Sequence, residues 1–168
     1  MPRPDPTTPL SVGPDDLDGV RGFLTACDLT VAGLGAAGVH LWAVRDADGA
    51  IVATTGYERS ADGRHALLRS VAVGPSRRGS GTGTRLARFA MHAAAADGAE
   101  VAWLFSRRSG PFWQALGFAP ADRAELAGAL AGTTQVELFR SSGQLDREVA
   151  WTRPIGRQSV VPDGSVGA

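Results

Sequence analysis

Between Val71 and Leu86 the chain reads VAVGPSRRGSGTGTRL. A short β-type stretch stops at Gly74-Pro75, arginines follow at 77 and 78, and glycines recur at 79, 81 and 83 before a helix-like run begins. A strand that empties through a glycine-rich loop into a helix N-terminus makes a phosphate site. The loop amides converge on the anion, and the helix dipole adds roughly half a positive charge. Small residues let the backbone approach closely, and arginine supplies the countercharge. A second group with chemical potential is Arg69, flanked by apolar residues in LLRSVAV on a strand that should be central. An arginine there needs a carboxylate partner or a bound anion. Arg123, in Ala121-Asp122-Arg123, either pairs with Asp122 at the surface or reaches an acceptor site.

All 17 basic residues are arginine, and the chain contains no lysine. A P-loop needs its Gly-Lys-Ser/Thr and a Schiff-base enzyme needs its amine, so both chemistries are excluded. Asparagine is also absent. The 17 acidic residues cancel the 17 basic ones, so global charge argues for neither nucleic acid nor a membrane surface as partner. The single cysteine, Cys27, has no intrachain disulfide partner and no activating base near it in sequence, so a buried structural thiol is expected. His40, His65 and His92 share no metal-like spacing, and no metal is expected. The opening MPRPDPTTPL lacks the apolar core of a signal segment, and no apolar run approaches the ~20 residues of a membrane span. A cytoplasmic protein is expected.

The elements that must position these groups follow from pattern. A chain of 168 residues suits one domain with one core. Residues 1–9 read as a disordered arm, 10–155 as the domain, and the Gly/Ser/Val/Pro-rich 156–168 as a flexible tail. Pro14-Asp15-Asp16 starts a helix with an aspartate suited to the N-cap. Three strand-like runs, Val39–Arg45, Ala50–Glu58 and Ala66–Val73, are separated by Asp48-Gly49 and Asp62-Gly63, which predicts an antiparallel meander. A long helix over about 82–97, a short strand at Val101–Phe105 and a short helix at Gly110–Leu116 come next. A helix near 123–131 and a strand near 148–153 complete the pattern. The fold class is α+β, or mixed α/β, with the anion loop at a strand-to-helix junction.

The glycine frame is longer than Gly-x-Gly. It runs Val73-x-Pro75-x-x-Arg78-Gly79-x-Gly81-x-Gly83-x-x-Leu86. This string resembles the acyl-CoA-binding motif of the GCN5-related N-acetyltransferase superfamily, Arg/Gln-x-x-Gly-x-Gly/Ala. Downstream, Phe112-Trp113-Gln114-Ala115-Leu116-Gly117-Phe118 is similar to that superfamily's Phe-Tyr-x-x-x-Gly-Phe segment. The resemblance implies a GNAT-like fold, in which an antiparallel meander opens into a splayed central sheet flanked by helices. It implies acetyl-CoA as cosubstrate. The amides of Arg78, Gly79, Ser80, Gly81, Thr82, Gly83 and Thr84 would cradle its pyrophosphate. Val71 and Val73 would pair with the pantetheine arm like an added strand. Ser106 falls where many relatives have an asparagine near that arm, and Phe112 would pack near the coenzyme.

The implied reaction is attack of a neutral amine on a thioester in a ternary complex. The backbone N–H of Val71, at a splay in its strand, is the candidate oxyanion donor. Many relatives use as acid a tyrosine at the position of Trp113, and tryptophan cannot serve. Either thiolate leaves unassisted, or Ser109 or water acts. Glu58, in GYE, is the candidate base, direct or through water. A narrower resemblance, carried by GYE, LLRSVAV and FWQALGF…DR, links the chain to arsenic-resistance-associated N-acetyltransferases and short N-acetylglutamate synthases. It implies an acceptor with a carboxylate, an amino acid or amino-acid-like toxin, with Arg69 and Arg123 as clamps. The leading reading is an N-acetyltransferase of a small-molecule amine. The alternatives are a protein-modifying acetyltransferase and an inactive coenzyme A-binding sensor. Homodimers recur in the superfamily, which leaves a homodimer open.

Overall fold

The computed structural model describes residues 7–156. The expected arm and tail therefore lie outside the described residues, except at 7–9 and 156. The chain forms β1 (Leu10–Ser11), α1 (Leu17–Ala26), β2 (Val39–Arg45), β3 (Ile51–Arg59), β4 (His65–Val73), α2 (Thr82–Ala96), β5 (Val101–Phe105), α3 (Gly110–Ala115), β6 (Ala119–Ala121), α4 (Arg123–Ala129), α5 (Thr134–Ser141) and β7 (Ala150–Pro154). The strands make one sheet in the order β1-β2-β3-β4-β5-β7-β6. β2, β3 and β4 are the expected antiparallel meander, and only the β4–β5 pair is parallel, bridged by α2. The fold is the mixed α/β, splayed-sheet arrangement expected from sequence.

The hairpins are built locally. Asp46 Oδ1 accepts from the N–H of Asp48 and of Ala50, and Asp62 Oδ1 accepts from Arg64 N–H and Ser60 Oγ. These aspartates turn the chain by replacing backbone acceptors. Asp16 works similarly before α1: its Oδ2 accepts from Gly13 N–H at 2.9 Å, and the first turn, Pro14–Asp16, is a 3-10 turn.

Period-2 alternation sorts the core onto two faces. Ala66 and Leu68 of β4 pack beneath α2 with Ala87, Ala90 and Met91, while Leu67 faces Leu126, Leu130 and Val136 of the α4–α5 layer. Across the sheet's other end, α1 buries Val20 and Leu24 against Leu41 and Ala72. Thr55 Oγ1 donates to Leu86 C=O at 2.9 Å and ties β3 to α2. Three elements depart from the sequence expectation: β1 and β6 are additional edge strands, and α5 is a helix where none was expected.

Candidate active site

The site begins with one extra residue in β4. Thr54 stands opposite Ala72, and Gly56 opposite Arg69, so Thr55 alone faces both Ser70 and Val71. Ser70 takes the left-handed conformation, φ +59°. Such a bulge bends its strand and resets the alternation. Ala72 consequently shares a face with Leu67, while Val71 packs on the α2 side. A Cβ on Gly56 would sit 2.5 Å from the carbonyl oxygen of His40, so only glycine fits beside the bend.

Bent in this way, β4 pairs with β5 only from His65 to Leu67. Beyond Leu67 the two strands diverge and leave an open edge. The N–H of Gly74 donates to Val52 C=O in β3 at 2.8 Å. Because successive strand amides point to opposite edges, the N–H groups of Val73 and Val71 turn away from β3 toward the opening. The C=O of Val73 points the same way and accepts from Arg78 Nε at 3.3 Å.

Two hollows lie along this edge. One, of about 280 Å³, is formed by Val73, the loop from Arg77 to Thr84 and Phe112. Gly79 and Gly81 have φ +78° and +79°, and a Cβ at either would meet nothing within 4 Å, so the loop is open and its glycines answer to conformation alone. The other, of about 310 Å³, lies where β4 and β5 part. Its walls include Ser70, Val71, Ser106, Ser109, Trp113 and Gln135. Ser106 Oγ accepts from Ser109 N–H at 3.1 Å and holds the β5–α3 loop against the cavity.

The structure brings Val71, Val73, Arg78 to Thr84, Ser106, Ser109 and Phe112 around these two hollows, with Ser80 packed at the loop by a 2.7 Å contact to Thr82 Oγ1. Glu58 is placed differently. Its side chain is 4% exposed and does not line the cavity. Oε2 accepts from Thr134 Oγ1 at 2.9 Å and faces Arg69 Nη1 at 3.4 Å, while Oε1 accepts from Thr134 N–H. Both oxygens are thus committed, which corrects the expectation of a carboxylate poised over an amine. Arg69 finds in Glu58 the carboxylate it needed. Burial holds its guanidinium below its usual range, and Glu58 pulls it back up. Its Nη2 remains buried without a partner, at a residue that lines the cavity.

Arg123 is also redirected. Its Nη1 donates to the carbonyls of Leu145, Asp146 and Glu148, and it is not part of the cavity wall. It braces the segment before β7. Tyr57, the only tyrosine, donates to Asp97 Oδ2 at 2.9 Å beneath α2 and lines neither hollow. Cys27 is partly exposed on the cavity wall instead of buried. Sequence reasoning missed Gln135, Gln144 and Glu148, which complete that wall. Among the described residues, no group of His, Cys, Asp and Glu could hold a metal ion, and no helix is long and apolar enough to cross a membrane.

No curated protein matches the chain. Solved structures do. N-acetylglutamate synthase from Neisseria gonorrhoeae, complexed with coenzyme A and N-acetyl-glutamate, superposes with a TM-score of 0.70 at 18% identity over 89% of this chain and 35% of that one. The present chain thus spans about a third of the Neisseria protein. Rv2747 from Mycobacterium tuberculosis, in complex with CoA, gives 0.67 at 13% identity over 88% and 98%. An aminoglycoside 6'-N-acetyltransferase complexed with coenzyme A gives 0.63 at 13% identity over 88% and 97%. At these identities the likeness is one of fold. The family model described as Acetyltransferase (GNAT) family matches residues 19–118, from α1 through the glycine loop to Phe118, and the chain belongs to that family of acyltransferases.

Proposed function

We propose that residues 10–155 act as one acetyl-CoA-dependent N-acetyltransferase domain that acetylates the amine of a small molecule, an amino acid or a related compound. The observation that carries this reading is the free edge of β4. Its outward amides run from the glycine hollow, at Val73, to the splayed cavity, at Val71. A phosphate-bearing extended ligand would lie along that edge, with its anion at the loop and its reacting end at the cavity.

The residues fit coenzyme A. The open loop with left-handed glycines leaves room for a pyrophosphate, Arg77 and Arg78 stand beside it, and Phe112 forms its apolar side. When bound, acetyl-CoA supplies the activated acyl group. The Val71 N–H donates to the acyl oxygen as negative charge gathers there. Ser106 and Ser109 border the position where the sulfur departs, and Ser109 Oγ or water gives it a proton. Arg69, held in place by Glu58, puts positive charge just behind the cavity wall and so favours an acceptor that carries a carboxylate.

A thiol-release assay with acetyl-CoA against a panel of amino acids and aminoglycosides tests the reading. Turnover on one of these amines is expected. Tight coenzyme A binding with no turnover on any amine would instead favour a coenzyme A-binding partner, a reading that Trp113 in the cavity wall supports because an indole cannot act as the acid.

A further inference from the structure

α1 ends at a position that favours glycine and holds an aspartate. Leu29 N–H donates to Leu24 C=O at 3.0 Å and Asp28 N–H to Thr25 C=O at 3.1 Å, the two bonds of a Schellman turn. That turn sets residue 28 in the left-handed region, and Asp28 stands there at φ +60°. Glycine takes this conformation without steric cost, and aspartate does not. Among the described residues the Asp28 carboxylate meets one group, Arg108 Nη1 at 3.4 Å.

Arg108 comes from the loop after β5, 80 residues along the chain. Both residues line the splayed cavity, whose walls also include the buried Leu68 and Leu104. The Asp28 and Arg108 side chains are instead 82% and 80% exposed, so they stand at its mouth. α1 packs on Ala72 of β4, whereas Arg108 follows β5, so the pair crosses from one side of the opening to the other. The neighbouring Arg107 is anchored, its Nε 3.4 Å from the buried carboxylate of Glu148. Arg108 has no partner but Asp28 among the described residues.

We propose that the Asp28–Arg108 pair is a strap across the mouth of the cavity, and that these two are positioning residues for the acceptor. An ion pair this exposed holds weakly, so the strap opens and closes readily. Open, it admits a small molecule. Closed, it draws the α1–β2 segment and the β5–α3 loop together over that molecule and keeps it against β4. The strained aspartate then has a reason: glycine would suit the turn but could not reach Arg108. That the molecule beneath is an acetyl acceptor rests on the acetyl-transfer reading, but the strap does not.

Cys27, the only cysteine, adjoins Asp28 and lines the same cavity. Its rate of reaction with N-ethylmaleimide, an uncharged reagent, therefore reports how open the mouth is. Arg108→Gln is the decisive variant. Loss of a nearby cation raises a thiol's pKa and by itself slows the reaction, whereas loss of the strap speeds it. A rise of about two- to fivefold is expected, the range an exposed ion pair sets. Sodium chloride at about 0.5 M should speed the wild-type protein more than Arg108→Gln. The reversed pair Asp28→Arg/Arg108→Asp should bring the rate back toward wild type. An unchanged or slower rate in Arg108→Gln, or a reversed pair no better than the single variant, overturns the strap. Asp28→Gly should open the mouth without lowering Tm, and a fall in Tm with no change in thiol rate would mean that Asp28 serves the fold alone.

With the best amine of the panel, Arg108→Gln should raise acceptor KM about two- to fivefold while coenzyme A Kd is unchanged, and the reversed pair should recover it. A KM that stays high in the reversed pair while the thiol rate recovers would mean that Arg108 touches the acceptor itself, which overturns the positioning role. If no amine is acetylated, the thiol rates still decide the strap, and the acetyl-transfer reading alone falls.

Discussion

Arg69 and Glu58 meet on one face of β3 and β4 as a buried ion pair, Nη1 to Oε2 at 3.4 Å, with side chains 0% and 4% exposed. They are diagonal neighbours, because Arg69 stands opposite Gly56 and Glu58 opposite Leu67. Thr134 locks the pair: its hydroxyl donates to Glu58 and accepts from Arg69 Nη1 at 3.1 Å. The N-terminus of α5 is thereby fastened to the centre of the sheet, and α5 in turn carries Gln135 to the cavity.

Replacing Glu58 by Gln leaves the guanidinium of Arg69 buried without its counter-ion. A loss of about 3–5 kcal/mol of stability is expected, as for other broken buried pairs. The double variant Glu58→Gln/Arg69→Met should recover much of it, which urea denaturation would show. Both carboxylate oxygens are already engaged, so the pH profile of kcat for the folded fraction should keep its shape. A loss of kcat confined to low pH would restore Glu58 as the base.

What the sequence made legible was what it encodes over short range. The glycine loop, the two Asp-Gly hairpins and the 82–96 helix each depend on neighbours within a few residues, and each lies where the pattern put it. Arg69's need for a partner was readable from its apolar neighbours. That Thr134 completes the pair was not, because it lies 76 residues from Glu58 along the chain. The bulge has no glycine to mark it, since Ser70 takes the left-handed conformation itself. α5 escaped notice because it buries only Val136 and Phe139 as apolar contacts, and its third buried residue, Gln135, is polar. Glu148 opens the strand expected near 148–153, and nothing in its neighbours marks it as a residue of the cavity wall.

Arg123 was expected at the acceptor and instead braces the chain before β7 through three carbonyls. Arg123→Ala should cost about 1 kcal/mol, less than a buried charged hydrogen bond because the arginine is exposed. Hydrogen exchange should quicken at residues 145–149 while α2 is unaffected. Acceptor KM should rise by more than coenzyme A Kd, because the braced segment carries Glu148 and not the glycine loop. Equal effects on both ligands would mean the arginine acts elsewhere.

The glycine loop permits a contrast between two positions. Gly81 needs φ +79°, so Gly81→Ala strains the backbone by about 1–2 kcal/mol although nothing crowds the new methyl. Coenzyme A binding by calorimetry should weaken about tenfold or more. Gly83 sits in the first turn of α2, where an alanine Cβ would meet Val73 and Phe112 at 3.5 and 3.7 Å, ordinary contact distances. Gly83→Ala should therefore stabilise the helix by about 0.5–1 kcal/mol. The methyl nevertheless projects into the hollow, so coenzyme A affinity should fall while Tm rises. A parallel fall in both would remove the loop's separation of fold from binding.

Tyr57 makes stability depend on alkaline pH. Its burial, then its hydrogen bond to Asp97 and the charge of that carboxylate, push the phenol well above its ordinary range, against a smaller pull from Arg59. The unfolded chain's phenol ionises near pH ~10. Above that pH the folded state holds a proton that the unfolded state has lost, so stability falls as pH rises. The contribution is complete below pH ~10 and drains away through the interval up to the folded pKa. Tyr57→Phe should cost about 1 kcal/mol at neutral pH, through the lost hydrogen bond, and should flatten the alkaline slope. Because the chain has no other tyrosine, tyrosinate absorbance reports this group alone. In an alkaline titration it should rise together with the unfolding transition seen by circular dichroism. A tyrosinate signal that appeared in the still-folded protein near pH ~10 would show that the Asp97 contact does not hold the proton.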